Sequence, residues 1–433
     1  MKRLLVTLVT AICGAALMSM YLVPTAEAAP YTPKTGVVFN NAAGSKTAER
    51  RAQAVLDKTI SATPRGATIT MAMYLFSQKS TADRLIAAHK RGVNVHFLID
   101  NGAEGAQLNR LRRAFGTSKA RRSYVVKCNR GGCMSNYPYA TIHVKYYLFS
   151  QVGAAKNVSI ISSANPHRVN IYNSFNNSHT IVEGNRPVIY NRLMTYFNDM
   201  TLNRQNHAYG NGKNTKNGRF TVYIYPQRTS RNVQYLDVLN TVQCRTTLGN
   251  RGRTVVRMNM WGFTNPRMDV ARKLWSLHNA GCKVDVTLNR GRASRTIMRQ
   301  LLARSSRYGQ MVVEDAWKDK NRNDYGEQYT HHKAMIINGR MKLDGKVVDQ
   351  RVVWTGSQNL TSNGSLYNDD MILRVVGTGY YNIYSSNFSY IQKKSKRLRK
   401  TPPPIVLKSK RQDARSLTPE QNVERQAELN EGG

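Results

Sequence analysis

Two histidine–lysine pairs carry the chemistry open to this chain. His143 and Lys145 lie two residues apart in TIHVKYYLFS, and His331 and Lys333 in QYTHHKAMIINGR. Side chains on a strand alternate with period two, so an H-x-K pair entering a strand sets both groups on one face. His332 then points the other way. A second apolar run follows each pair and ends in S-x-N, giving Ser163 with Asn165 and Ser357 with Asn359. Imidazole, ammonium, hydroxyl and carboxamide converging on one point make a phosphate site, with Ser163 and Ser357 as expected phosphate contacts. Gly356, lacking a Cβ, lets backbone approach a small anion closely.

A phosphodiester is anionic and poorly electrophilic. Its cleavage needs positive charge on the non-bridging oxygens, a neutral nucleophile and a proton for the leaving alkoxide. Lys145 and Lys333 supply the charge, and Asn165 and Asn359 supply further donors to the pentavalent state. One histidine attacks to form a phosphohistidine while the other protonates the leaving group. The carboxylate-rich or histidine-rich clusters of a two-metal phosphodiesterase are not apparent, so neither metal nor cofactor is expected.

Two copies of H-x-K followed by S-x-N resemble the phospholipase D superfamily, in both halves of the chain. The resemblance implies a two-step, metal-independent phosphodiesterase with one site shared between two related halves. It also implies that an acidic residue downstream of one motif orients the histidine of the other half. Asp369 and Asp370 follow Asn359, whereas Asn177 and Ser178 occupy the corresponding stretch after Asn165. On that basis His143 gains the acidic partner and is the nucleophile, and His331 is the general acid; aspartates that merely cap a turn are the alternative. The full family motif is H-x-K-x4-D, and here Ser150 and Asn338 stand at the aspartate positions. The tyrosyl-DNA phosphodiesterase branch also lacks those aspartates and keeps His, Lys and Asn.

The elements that must hold these groups repeat. GVVFNN, TAERRAQAVLDKTISA, ATITMAMYLF, STADRLIAAHKRG and VNVHFLID read as strand, helix, strand, helix, strand. RFTVYIYP, NVQYLDVLNTVQ, RTVVRMNMWGF, PRMDVARKLWSLHNAG and KVDVTLN repeat that order. Apolar positions three and four apart, a glycine stop and a buried strand recur in both. The expected fold is α/β: two repeats with mostly parallel sheets, related by a pseudo-twofold axis around one site. The expected division is a signal peptide at 1–28, one half at 29–202, a polar linker or loop at 203–218, the other half at 219–392, and a basic, partly disordered tail at 393–433.

Lys2 and Arg3, a long apolar run and Ala26-Glu27-Ala28 predict a cleaved signal peptide and a secreted protein; an uncleaved anchor is the alternative. Cys128, Cys133, Cys244 and Cys282 then remain, an even number in an exported chain. Their spacing suggests Cys128 with Cys133 and Cys244 with Cys282, among three possible pairings; the spacings fit a zinc site poorly.

The formal net charge is +40, from 65 basic and 25 acidic residues. Such a charge draws the chain to polyanions and permits peripheral contact with anionic surfaces. The expected substrate is a phosphodiester, a phospholipid headgroup first. A nuclease of the same superfamily and a catalytically silent polyanion-binding protein are the alternatives, and no obligate protein partner is evident.

Overall fold

The computed structural model describes residues 31–129, 131–135, 137, 139–227, 234–318 and 328–403. The expected signal peptide and the tail from residue 404 onward lie outside these residues.

Each half builds one mixed sheet, and the strand order is the same in both. In the first, Tyr124–Lys127, Asn94–Ile99 and Thr68–Met73 run parallel; Tyr146–Val152, Ala155–Ser162, Ser174–Val182 and Gly36–Asn40 then follow, each antiparallel to its neighbour. In the second, Val312–Asp315, Lys283–Leu288 and Val255–Met260 are parallel. Lys333–Leu343, Lys346–Gly356, Met371–Val376 and Phe220–Ile224 continue antiparallel.

The expected α/β repeat is present, but its sheets are mostly antiparallel. Helices such as Lys79–Lys90 and Met268–Asn279 connect the parallel strands. The strand after each H-x-K pair instead returns through a two-residue turn, Gly153-Ala154 or Asp344-Gly345. So short a turn can join only antiparallel strands. Asp344 and Gly345 both have positive φ, 48° and 85°, as a primed hairpin turn demands.

Two other boundaries differ from expectation. Thr215–Asn217, within the stretch read as a linker, is an edge strand beside Phe220–Ile224. At the start of the stretch read as a tail, Lys393 and Lys394 end the helix Thr378–Lys394, and Lys396–Arg397 pairs with Glu314 and Asp315. Leu398 is buried in the second half's core, which anchors this run.

Alternation along the strands sorts the core into layers. Tyr147 and Phe149 pack under the first half's helices, and Met335 and Ile337 under those of the second. Their neighbours Tyr146, Leu148, Ala334 and Ile336 meet in one cluster drawn from both sheets. Burial on both faces explains why YYLF and AMII read as continuous apolar runs. Two disulfides are formed, Cys128–Cys133 and Cys244–Cys282. Among the described residues no helix is long and apolar enough to cross a membrane.

Candidate active site

The halves exchange backbone where the histidines stand. His143 N–H and Val144 N–H donate to Asp369 O at 2.8 and 2.9 Å, and His331 N–H donates to Phe175 O at 2.9 Å. Each histidine-bearing segment is thus tied to the strand following the other half's S-x-N. Strand alternation then sends the next side chain toward the imidazole. Asp370 Oδ2 lies 2.9 Å from His143 Nδ1, and Asn176 Oδ1 lies 3.0 Å from His331 Nδ1. Both bonds cross between the halves.

The hydroxyls of S-x-N complete this relay. Ser163 Oγ donates to Asn176 Oδ1 at 2.8 Å, and Ser357 Oγ donates to Asp370 Oδ1. Ser163 and Ser357, expected as phosphate contacts, direct their protons to the groups that orient the histidines. Asn176 also donates from Nδ2 to Asn170 O and Ser174 Oγ, which fixes its oxygen toward His331. His331 Nδ1 therefore carries the proton, and its Nε2 accepts from Lys333 Nζ at 2.9 Å. Asp370 Oδ1 accepts from Ser357 Oγ and Met371 N–H while Oδ2 faces the ring, so His143 likewise holds its proton on Nδ1 and presents Nε2 as the reactive lone pair.

The other expected site residues have these partners. Lys145 Nζ donates to His143 O at 2.8 Å. Asn165 Oδ1 accepts from Leu75 N–H at 3.1 Å, and Asn359 Oδ1 from Gly262 N–H at 3.3 Å. Asn165 Nδ2 donates to Asn170 Oδ1 at 3.0 Å, so that amide braces the loop beside the site as well as lying near it. The side chains of His143, Lys145, Asn165, His331, Lys333 and Asn359 are all at most 1% exposed.

Asp369 has a different task from its neighbour. Its carboxylate accepts from Cys133 N–H at 2.5 Å and Met134 N–H at 3.0 Å, and so holds the Cys128–Cys133 loop instead of a histidine. Burial pushes its pKa up to about 8, against the pull of those two N–H groups, with the charges of Asp100 and Asp370 adding to the rise. The expected pair of orienting aspartates therefore reduces to one, Asp370. Cys128, Cys133 and Asp369 also form the one cluster of candidate metal ligands among the described residues, and its sulfurs are joined to each other.

Gly356 also has a different reason. A Cβ there would stand 2.3 Å from Met371 O, so the close approach is to the neighbouring strand and not to an anion. Asn177 and Ser178 do not replace the aspartates. Asn177 Nδ2 lies 2.7 Å from His332 Nδ1, on the face turned away from the site, where burial first and then the charges of His331 and Lys333 push His332 down to about 3.

Sequence reasoning missed Asn176, and a spacing would have found it. Asn176 stands thirteen residues after Ser163, as Asp370 does after Ser357. It also missed Asp100 and Asn289, which end equivalent strands and fix the residue before each histidine. Asp100 Oδ2 accepts from Ile142 N–H at 2.9 Å, and Asn289 Oδ1 from Thr330 N–H at 3.0 Å. Burial raises Asp100 to about 6, opposed by backbone donors. Rings in equivalent places flank the two histidines, Tyr74 at 5.8 Å from His143 and Trp261 at 5.2 Å from His331, which also meets Tyr329 at 6.2 Å.

The two missing motif aspartates prove remote. Ser150 Oγ accepts from Thr68 N–H and Asn338 Oδ1 from Gly249 N–H, both at the far end of the strand from Lys145 and Lys333. Five residues along a strand span about 16 Å.

The fold has known relatives. The domain family described as "Cardiolipin synthase, PLD-like domain" matches residues 57–201 and 250–392. No curated protein matches the sequence. Among solved structures, phosphatidylserine synthase of Haemophilus influenzae is similar over 92% of this chain and 94% of its own, with 12% identity and a TM-score of 0.55. The polyphosphate kinase of Porphyromonas gingivalis is similar over 91% of this chain, with 12% identity and a TM-score of 0.50; the match spans 56% of that kinase. At such identity these are likenesses of fold. The family match covers more than half of the sequence in two copies, and the chain belongs to the phospholipase D-like family.

Proposed function

We propose that this protein is a phosphodiesterase that works through a covalent phosphohistidine on His143. The observation that carries the reading is the buried bond from Asp370, in the second half, to Nδ1 of His143, in the first. His143 Nε2 attacks phosphorus, the P–O bond to the leaving alkoxide breaks, and His331 Nε2 gives that alkoxide its proton. Asp370 stabilises the positive imidazole ring of the intermediate. His331 then takes a proton from water, whose oxygen attacks phosphorus and releases His143.

Lys333 now donates to His331 Nε2. An incoming phosphate draws this ammonium onto its oxygens, which lets Nε2 take a proton from solvent and hold it for the leaving alkoxide. Lys145 supplies the second positive charge. Asn165 and Asn359 steady the loops that carry Tyr74 and Trp261.

The expected phospholipid headgroup and a nucleic-acid strand are the two substrates to be distinguished, and secretion through a cleaved signal peptide is the compartment proposed for either. The nuclease reading is favoured by one feature, the large positive charge. Purified protein assayed side by side on phospholipid vesicles and on single- and double-stranded DNA, with and without chelator, tests the proposal. Release of a headgroup alcohol or of oligonucleotides, unaffected by chelation, is expected. Turnover lost to chelation and restored by a divalent ion contradicts the histidine chemistry.

A further inference from the structure

The excess positive charge is neither spread evenly nor gathered round the histidines. In the first half, Lys145 adjoins Tyr146, which pairs with Ala72 near the end of the strand Thr68–Met73. The segments leading into the opposite ends of this sheet's parallel strands are 58–67, 87–93 and 112–123. They hold nine Lys or Arg residues and no Asp or Glu. In the second half, Lys333 pairs with Met260 at the end of Val255–Met260. The segments at the opposite end, 244–254, 279–283, 299–311 and 397–403, hold ten and again no acid. A six-residue strand puts about 17 Å between each basic row and the lysine of the site.

Helix C-termini lie at the same sheet ends, and cations there satisfy the last carbonyls and offset the helix dipole. Part of each row does this. Arg91 donates to Ile60 O and Ser61 O, Arg122 to His89 O and Val93 O, and Arg253 to Gly281 O and Cys282 O. Arg397 pairs with Glu314 and donates to Met311 O, and much of the remainder faces solvent. Arg65, Lys90, Arg113 and Arg121 in one row, and Arg251, Lys283, Arg304 and Arg307 in the other, are exposed and make no ion pair among the described residues. Burial and then the charges of Arg122 and Arg121 lower the pKa of His89, which marks the field at the first row. Like charges gathered without counter-charge repel one another, and a polyanion relieves that repulsion.

We propose that these two rows are docking surfaces for a nucleic-acid strand, which binds at the strand starts while one of its phosphodiesters reaches the histidines. Fourteen of the nineteen cations are arginine, whose planar fork matches phosphate oxygens. A flat anionic bilayer seated on either row would hold the site away from its surface, whereas a flexible strand can span the distance. The exposed large apolar side chains among the described residues, Tyr31, Tyr139, Val188, Leu202, Val347 and Ile383, belong to neither row, so nothing there would enter a bilayer. The choice of a phosphodiester polymer rests on reading the site as a phosphodiesterase; the position of the surfaces does not.

Binding of a labelled single-stranded oligonucleotide to full-length His143→Ala protein, followed by anisotropy across a salt series, tests this. Neutralising one row (Arg65→Gln, Lys90→Gln, Arg113→Gln, Arg121→Gln) or the other (Arg251→Gln, Lys283→Gln, Arg304→Gln, Arg307→Gln) is expected to weaken binding about tenfold or more at low salt. The log–log salt slope should fall by about 0.7 for each phosphate that is no longer neutralised. The same substitutions in the active chain should leave turnover of bis(p-nitrophenyl) phosphate unchanged. Hydrogen exchange on the unsubstituted rows should show protection by DNA at 112–123 and 299–311, an outcome independent of whether a fourfold variant folds. Unchanged affinity and slope with no protection overturns the proposal, as does row-dependent binding to phosphatidylglycerol vesicles without binding to DNA. Intact DNA binding with no turnover of the small diester would instead overturn the reading of the site.

Discussion

The two histidines stand on matching scaffolds but in unlike electrical surroundings. Around His143 the orienting groups are carboxyls, with Asp370 on its ring and Asp100 on the preceding N–H. Around His331 the equivalent places hold amides, Asn176 and Asn289. An amide oxygen aims an imidazole as well as a carboxylate does, but it adds no net charge to stabilise a cation. In a site buried to 1% exposure or less, that difference is weakly screened. One fold repeated twice can therefore divide nucleophile from acid by exchanging Asp for Asn at two positions.

The strongest way to break this comparison is to remove each ring. His143→Ala and His331→Ala should each lower hydrolysis of a natural diester by about 10³-fold or more. On a p-nitrophenyl ester, whose leaving group needs no proton, His331→Ala should recover much of the first step and His143→Ala none. A burst of p-nitrophenol measures it, and equal defects would remove the distinction. The partners come next. Asp370→Asn should slow the first step by about ten- to a hundredfold, and Asn176→Ala should slow it only a few-fold, read by single-turnover rates.

The disulfides differ in the same local-against-remote sense. Cys244–Cys282 closes a loop of 38 residues away from the histidines, so its removal should cost about 4 kcal/mol of stability with little change in rate. Cys128–Cys133 spans 5 residues and is held by Asp369, next to Asp370. Its removal should cost about 2 kcal/mol and also lower turnover. Denaturant midpoints and rates on the double Cys→Ala variants check both.

A separate effect is expected in pH dependence. Burial raises Asp369 above its unfolded value of 3.8, to about 8. The folded chain then binds the extra proton, so this group's contribution to stability is full below about pH 4 and is lost as pH rises toward 8. The stability of the parent relative to Asp369→Asn should fall over that window. A constant difference would place the titration elsewhere.

Much of this was legible in the residues. H-x-K and S-x-N announced the site because their spacing follows from strand alternation, and the glycine stops after each helix marked the repeat. The antiparallel returns were also written there, in Asp344-Gly345 between two apolar runs, a hairpin signal outweighed by the βαβ pattern before it. Asn176 escaped because an amide in an Asn-rich stretch has no chemistry of its own to flag it. The roles of Ser163, Ser357 and Asp369 were not legible at all. Asp369 depends on which loop of the other half lies opposite it, and Ser163 and Ser357 on how the next strand of their own half turns back beside them.

The central claim is that His143 carries the phosphoryl group. Acid-stable trapping is unsuitable for phosphohistidine, so turnover of a slow diester should be quenched in base and the peptides mapped by mass spectrometry. The account predicts phosphate on the peptide containing His143, in the parent and, with a p-nitrophenyl ester, in His331→Ala. Phosphate on His331 would reverse the two roles, and activity with phosphate on neither histidine would contradict the covalent mechanism.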